Sequence, residues 1–473
     1  MPITIPHSRP LSTRWTTWVL IALLSVLPGS GAAKEQNQAL VVLATGPETT
    51  ELLRRIGEPL AQAAELPPKE VHFHVILNPA LNAFALPSRH IVLNSGLMLA
   101  VRDRDELAGV MAHEIGHLKA GHHLQLESLS KKLSLQTLIT TAAGILAGFA
   151  SRDGQLTQAM ITGGAASAQT NLLEAIRRKE SQSDRLAVTL LAKAGFNPEG
   201  LASFMNRLVQ QQRIATLPQP YLLTHPITTE RLLDARRMAS EEPLSETPRP
   251  NPEENRLLAR ARAILEAETH DSPEESVLRF RDRLKLEPGN LALEQGLAEA
   301  LRAAGRLPEA ESQLNVLLKK YPDDPHLLRH RGVTRIEMGR YAEAEQDLKA
   351  AIARLPEHED LQYRLAFALK ELKKTAEAIR LLRQLSSQHP DEPRYFYLLG
   401  LTEGEAGHPG EGHLALGRHH VLLEARENAI WHFQEAMRLL PAGSSEREIA
   451  RQEWKQAMKM ERKPEEIPER KRR

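Results

Sequence analysis

Apolar residues recur at helical spacing in the stretch RDELAGVMAHEIGHLKAGHH, which runs from Arg104 to His123. They are Leu107, Val110, Met111, Ile115 and Leu118. No proline interrupts this run, and it begins with acidic residues, which favour the start of a helix. The pattern therefore predicts a helix. A second helix is predicted over Leu172–Gly195, because a glycine and then Pro198 end its apolar pattern.

Short apolar runs upstream of the first helix predict strands. The segment Val71–Asn78 alternates only partly, which is typical of a buried strand. NAFALP and RHIVLN predict a second and a third strand, with Pro87 and Ser88 at the turn between them. An exposed edge beside the first helix would allow an extended peptide to add as a further strand, although packing alone also explains the runs.

The C-terminal half shows a period of 34 residues. Prolines keep this period at Pro288, Pro322, Pro356 and Pro390, small residues keep it at Ala298, Gly332, Ala366 and Gly400, and alanines keep it at Ala310, Ala344 and Ala378. A fourth column contains Gly305, Gly339 and Gly407, with Lys373 as its exception. A helix–turn–helix unit of 34 residues is a tetratricopeptide repeat, and arrays of such units bind other proteins.

The last interval of the array is irregular. Pro390 and Pro441 are 51 residues apart, which is one and a half repeats. The segment HLALGRHHVLLE is therefore predicted to be the second helix of one unit and the first helix of the next.

Composition narrows the function classes. The net charge of +1 gives no indication of a nucleic-acid partner, and 4% aromatic content in a chain rich in Ala, Leu, Arg and Glu favours a mainly helical protein. The chain has no cysteine, so disulfides, a cysteine nucleophile and cysteine-bound zinc are excluded. A metal site would need histidine and carboxylate ligands.

The N-terminus has the pattern of an export signal. Arg9 and Arg14 precede the apolar run WVLIALLSVL, and small residues follow, which predicts a signal peptide cleaved near Ala32 or Ala33 and hence an exported protein. An uncleaved membrane anchor is the alternative, but the run is short for a span. A later apolar run, Leu138–Ala150, is interpreted as a buried or interface helix, with membrane contact at most peripheral.

The first predicted helix carries an H-E-x-x-H motif formed by His113, Glu114 and His117. Residues four apart lie on one face of a helix, so both imidazoles can reach one metal ion, whereas Glu114 points aside and is placed to act as a general base. The alternative is an amphipathic helix with solvated histidines.

A third ligand is predicted on the second helix. Glu180 is the best candidate, and Asp184 lies one turn later, where it can accept a hydrogen bond from a ligand histidine and fix its tautomer. An isolated E-x-x-x-D pattern would indicate an ordinary charged face. Here the upstream motif needs a carboxylate partner, which favours the metal site.

Several ordered stretches resemble the zinc metallopeptidases of family M48, which are gluzincins. They are NAFALPSRHIVLNSGLM, ELAGVMAHEIGH, ESQSDRLA, GFNPEG and LLTHPITTERL, and together they cover roughly residues 40–237. The resemblance implies a zinc endopeptidase with one zinc per chain, bound by His113, His117 and Glu180, and with Glu114 as the base. The chain departs from the family at Gln182 and Ser183, where an acidic residue and alanine are common.

His225 precedes Pro226 in the last of these stretches. Proline biases the preceding residue away from helical geometry, which predicts a loop or a helix entry. Spacing alone indicates an exposed histidine. The resemblance implies a functional role, either as a fourth metal ligand that keeps the enzyme latent or as a donor to the oxyanion.

The predicted architecture is mainly α: an α+β metalloprotease domain of the gluzincin type with a small β-sheet, followed by an all-α tetratricopeptide repeat array. The predicted ranges are 1–33 for the signal peptide, 34–239 for the protease domain, 240–254 for a linker, 255–441 for the repeats and 442–473 for a charged tail.

Two functions remain open at this point. One is an active endopeptidase that acts on protein or peptide substrates delivered by the repeats. The other is a chaperone or adaptor whose zinc site is latent or structural. An exported M48 domain with a repeat array resembles periplasmic proteases of Gram-negative bacteria, which implies partners in outer-membrane protein assembly.

Overall fold

The computed structural model describes residues 46–86, 89–121, 166–212, 221, 225–242 and 252–460. Four features predicted above lie outside these residues: the export signal, the turn at 87–88, the apolar run 138–150 and the charged end beyond residue 460. Within the described ranges, none of the helices combines the length and the apolar character needed to cross a membrane.

The N-terminal unit combines helices with a small sheet. Its elements are α1 (Pro47–Ala63), a 3-10 turn (Pro68–Glu70), β1 (His72–Ile76), β2 (Ala83–Leu86), β3 (His90–Asn94), α2 (Ser95–Ala100), α3 (Arg104–Lys119), α4 (Ala166–Lys193), α5 (Glu199–Gln212) and α6 (Thr229–Glu241). The mainly helical fold with a small sheet agrees with the sequence prediction.

The sheet has the order β1–β3–β2. The central strand β3 runs parallel to β1, with His72 opposite His90, and antiparallel to β2, with Ala85 opposite Ile91. All five residues of β3 are buried, whereas β1 begins exposed at His72. Because β3 is the central strand, β1 and β2 are the two edges of the sheet in the part of the chain that the structure describes. The strand β2 packs against α3.

Helix α3 lies in the centre of the core. Asp103 caps its N-terminus by accepting hydrogen bonds from the backbone N–H groups of Asp105 and Glu106. Neighbouring backbone comes so close to two of its glycines that a β-carbon would meet it at 2.5 Å at Gly109 and 2.9 Å at Gly116. Helices α4 and α5 can therefore pack directly against α3, and the solvated amphipathic helix considered as an alternative is wrong.

The C-terminal half is a series of antiparallel helices: α7 (Pro252–Thr269), α8 (Pro273–Leu286), α9 (Leu291–Ala303), α10 (Leu307–Lys320), α11 (Pro325–Glu337), α12 (Tyr341–Arg354), α13 (Glu359–Glu371), α14 (Thr375–Gln388), α15 (Pro393–Glu405), α16 (Pro409–Leu422), α17 (Arg426–Leu439) and α18 (Ser445–Ala457). Ala310, Ala344 and Ala378 are fully buried. The small-residue columns therefore mark helix contacts, as the repeat pattern predicts.

Helix α16 packs against both α15 and α17. It contains most of the HLALGRHHVLLE segment, so the prediction that this segment serves two helix pairs is confirmed. Two helices extend into ranges for which no array helix is predicted. The helix α18 lies within the predicted charged tail, 442–473, and α7 begins at Pro252, within the predicted linker, 240–254.

The two halves share a core. Leu257, Leu258 and Leu265 of α7 are buried in the same apolar cluster as the protease-side helices. At the start of α1, the buried Glu48 accepts a hydrogen bond from Gln295 of α9 and lies 3.2 Å from His330 Nε2 of α11. The repeat array is therefore docked directly against the N-terminal unit.

Candidate metal centre

Helix α3 presents His113 and His117 one turn apart, and their Nε2 atoms are 3.1 Å from each other. His113 is fully buried, and only 12% of the His117 side chain is exposed. The close contact between Gly116 and the backbone of Ser183 places the two histidines directly opposite α4.

Helix α4 brings Glu180 between the two imidazoles. Glu180 Oε2 lies 3.5 Å from His113 Nε2, and Glu180 Oε1 lies 3.4 Å from His117 Nε2. The carboxylate predicted as the third ligand thus meets both histidines of the motif, although 63 residues separate it from His117 in the chain.

His225 joins this group from the segment before α6. Its Nδ1 atom lies 3.3 Å from His113 Nε2 and 3.1 Å from Glu180 Oε2, and it is buried. Its ring also packs against the Tyr221 ring at 4.7 Å. One ligand atom from each of His113, His117, Glu180 and His225 lies within 4.8 Å of the others, so these four residues form one group.

Asp184 lies behind the group, one turn after Glu180. Its Oδ1 atom is 2.9 Å from His113 Nδ1, the nitrogen that faces away from Glu180 and His225. This contact is the geometry expected of a carboxylate that fixes a ligand histidine in one tautomer, which leaves Nε2 with a free lone pair.

Arg231 is a site residue that the sequence prediction missed. Its guanidinium donates two hydrogen bonds to Asp184, at 2.7 and 2.9 Å, and its Nη1 atom lies 3.1 Å from Glu180 Oε2. The same Nη1 donates to the carbonyl of Pro226, the residue after His225. Arg231 therefore joins α6, α4 and the His225 segment. The available signal was its position in the ITTERL end of the family-like stretch.

The electrostatic environment is set by burial and by these pairs. Burial alone would raise the pKa of Glu180, but the His225 and His113 imidazoles outweigh it and lower the pKa far below its usual range. Burial would lower the pKa of His113, but the hydrogen bonds that its ring donates to the Asp184 and Glu180 carboxylates raise it to about 10. Both shifts show that this buried pocket favours positive charge next to the Glu180 carboxylate. A metal cation bound between the donor atoms would supply such a charge.

Glu114 has a different environment from Glu180. It is 1% exposed, and its Oε1 atom accepts no hydrogen bond among the described residues while lying 3.6 Å from His225 Nε2. Burial raises its pKa despite the nearby His225 and His113. A buried carboxyl with a raised pKa beside the donor group suits a general base.

The donor group fits a zinc ion. Ligand bonds of about 2.0–2.1 Å in a tetrahedron place neighbouring ligand atoms about 3.3–3.4 Å apart. Five of the six residue pairs in the group have donor distances from 3.1 to 3.5 Å, close to that value, and all four ligand atoms lie within 4.8 Å of one another. Three imidazoles and one carboxylate are donors that zinc prefers.

Two family models match the chain. Peptidase family M48 matches residues 47–239, and the tetratricopeptide repeat matches residues 258–329 and 335–401.

The chain is also similar to individual proteins, over different shares of their lengths. The "Putative beta-barrel assembly-enhancing protease" of Vibrio cholerae is 30% identical over 84% of this chain and 81% of its own length. The "Beta-barrel assembly-enhancing protease" of Yersinia pestis is 31% identical over 44% of this chain, a match that spans only 42% of that protein. A crystal structure of MamA matches 34% of this chain and 92% of the MamA chain at 19% identity, with a TM-score of 0.27.

Proposed function

The chain belongs to the M48 metalloproteases, and we propose that it is a zinc-dependent endopeptidase of the bacterial envelope. Its proposed reaction is the hydrolysis of peptide bonds in misassembled or misfolded envelope proteins. The observation that carries the proposal is the group of His113, His117 and Glu180 donors with the buried Glu114 beside it.

In this proposal His113, His117 and Glu180 bind one zinc ion per chain. When bound, zinc polarises the scissile carbonyl and makes a water molecule acidic enough to attack at neutral pH. Glu114 takes the proton from the attacking water and passes it to the leaving amine, a role that its raised pKa supports. Asp184 holds His113, and Arg231 holds Asp184 in turn.

The proposed substrate segment binds in extended form along β2. This strand is an edge of the sheet, it packs against α3, and the backbone of Ala85 is hydrogen-bonded to the Glu114 side chain. An added strand at this edge would lie next to the general base.

His225 is proposed as a fourth ligand that keeps the resting enzyme latent. Its Nδ1 atom already lies among the donor atoms, at 3.1 Å from Glu180 Oε2, where it competes with water for the open position. His225→Ala should then increase proteolysis. Reduced proteolysis in that variant would instead assign His225 as the donor to the oxyanion.

The repeats are proposed to recruit substrates or an assembly partner, as tetratricopeptide arrays bind proteins. Part of the array surface is already occupied, because Glu48 and Thr50 of α1 contact α9, α11 and the start of α13. Recruitment therefore uses other surfaces of the array. The names of the relatives mention β-barrel assembly, which supports outer-membrane protein assembly as the process. The export pattern at the N-terminus supports the periplasm as the compartment.

The alternative function is that of a chaperone or adaptor for outer-membrane protein assembly, with a latent or structural zinc site. The fully assembled donor group, including His225, is compatible with a latent state. The presence of Glu114 beside this group favours the peptidase.

Replacing Glu180 by glutamine tests the metal assignment. We expect Glu180→Gln to lose zinc in elemental analysis after dialysis, because the variant removes the only carboxylate of the donor group. Glu174→Gln is the matched control, since Glu174 is an exposed carboxylate on the same helix. Full zinc content and full activity in Glu180→Gln would reject the proposed ligand set.

A further inference from the structure

The last helices of the repeat array carry a second group of histidines, far from the candidate metal centre in the chain. His413 and His420 lie on α16, and His432 lies on α17. His413 and His420 are seven residues apart, so they lie on the same face of α16, two turns from each other. These three histidines are half-buried. They have no role in the proposed peptidase reaction, and they are not among the residues that keep the 34-residue period.

The close packing of α16 on α17 brings these histidines together. Gly417 lies against the buried Phe433, whose ring would be only 2.4 Å from a β-carbon at position 417. A larger residue would separate the two helices at this point. The glycine therefore allows the histidine-bearing faces of α16 and α17 to meet.

His413 and His432 already have the spacing of two ligands of one ion. Their Nδ1 atoms are 3.0 Å apart, close to the 3.1 Å between the Nε2 atoms of His113 and His117. The ring of His420 stacks on that of His432 with a centroid separation of 5.0 Å, so its side chain must change rotamer before a third nitrogen can join the other two.

We propose that His413 and His432, completed by His420, form a second metal site, specific for divalent transition-metal ions that prefer imidazole ligands, such as Cu²⁺, Ni²⁺ and Zn²⁺. No acidic residue is needed for this class of ion, whereas Ca²⁺ and Mg²⁺ require oxygen ligands. A bound ion would link α16 to α17 at the place where the 34-residue period breaks.

The hydrogen-bond contact between His413 and His432 leaves the third histidine of the group unexplained. His420 Nδ1 is buried and has no hydrogen-bond partner among the described residues. A bound metal ion would give this buried nitrogen a partner. Neutral imidazole is the form that binds metals.

Tryptophan fluorescence gives a direct assay on the full chain. The Trp431 ring lies 5.3 Å from the His413 ring and 4.6 Å from the His432 ring. Cu²⁺ bound between these histidines should quench Trp431 emission in a saturable titration. The double variant His413→Gln with His432→Gln should lose this phase. An unchanged quenching curve in the folded double variant would overturn the proposal.

The matched control is His408→Gln. His408 precedes α16, is 54% exposed and pairs with Glu403, so its loss removes one imidazole of the array without changing the cluster. Its titration should equal that of the parent chain, and loss of the quenching phase in this control would also overturn the site.

A second variant and a second readout cover the case in which the double variant does not fold. His420→Gln removes only the outer ring and should weaken Cu²⁺ binding, while leaving the far-UV circular dichroism unchanged. Equilibrium dialysis against Ni²⁺ should give one ion fewer per chain for the double variant than for the parent. Parental Cu²⁺ affinity in His420→Gln would by itself reject the three-histidine site, and where the double variant folds, an unchanged Ni²⁺ content would reject it as well.

Discussion

Arg231→Met removes a buried charge that supports the candidate metal centre. Only 4% of the Arg231 side chain is exposed, and the carboxylates it contacts, Asp184 and Glu180, are 2% and 5% exposed. Methionine keeps an unbranched side chain but makes none of the hydrogen bonds. The variant therefore leaves two carboxylates in the core without their guanidinium partner.

The expected loss of stability is large. Breaking a buried ion pair by removing one partner costs about 3–5 kcal/mol in the free energy of unfolding. Arg231 donates two hydrogen bonds to Asp184 and one to the Pro226 carbonyl, which places the variant at the upper end of that range. Bound zinc should recover part of the loss, because it supplies positive charge to Glu180.

Urea unfolding of the parent and the variant, each with a chelator and with zinc, measures both effects. Arg231→Lys is the matched control, since lysine keeps the charge but cannot form the two parallel hydrogen bonds to Asp184. We expect its stability to lie between that of the parent and that of Arg231→Met. An Arg231→Met variant within about 1 kcal/mol of the parent in chelator would refute this account of the site.

Two further predictions concern regions away from the candidate metal centre. Lys373→Gly should raise the stability of the repeat array by up to about 1 kcal/mol in thermal unfolding, because Lys373 adopts a φ of 61° that favours glycine; a loss of stability would show that its ion pair with Glu405 matters more. Burial lowers the pKa of His74 to about 3 and of His90 to about 4, so the unfolded chain binds more protons below pH 6.5 and the free energy of unfolding falls as the pH falls from 6.5 towards 4. Each histidine contributes up to about 2 kcal/mol of this loss between pH 6.5 and 5, and a His74→Gln, His90→Gln variant with the pH slope of the parent would contradict it.

The parts of the structure with a regular spacing could be predicted from the sequence. The i, i+4 relation places His113 and His117 together without any knowledge of the fold, and the 34-residue period predicts the paired helices of the array. Even the exception at Lys373 was visible as a departure from a glycine column. The structure adds that the backbone there keeps the left-handed conformation of its glycine counterparts.

Contacts between distant segments could not be predicted in this way. Arg231 meets Asp184 across 47 residues, and Gln295 meets Glu48 across 247. Such pairs leave no periodic signal in one sequence, because each partner is an ordinary polar residue on its own helix. The same reason hides the role of α7, whose leucines contribute to the protease core although its helix starts the repeat array.

The most direct test of the peptidase account is Glu114→Gln, measured for zinc content and for cleavage of an unfolded protein. Glutamine has nearly the shape of glutamate but cannot accept the proton from the attacking water. Because Glu114 is not among the donors of the metal group, we expect the variant to hold as much zinc as the parent chain and to show no cleavage. Cleavage at the parental rate by the zinc-loaded variant would contradict it.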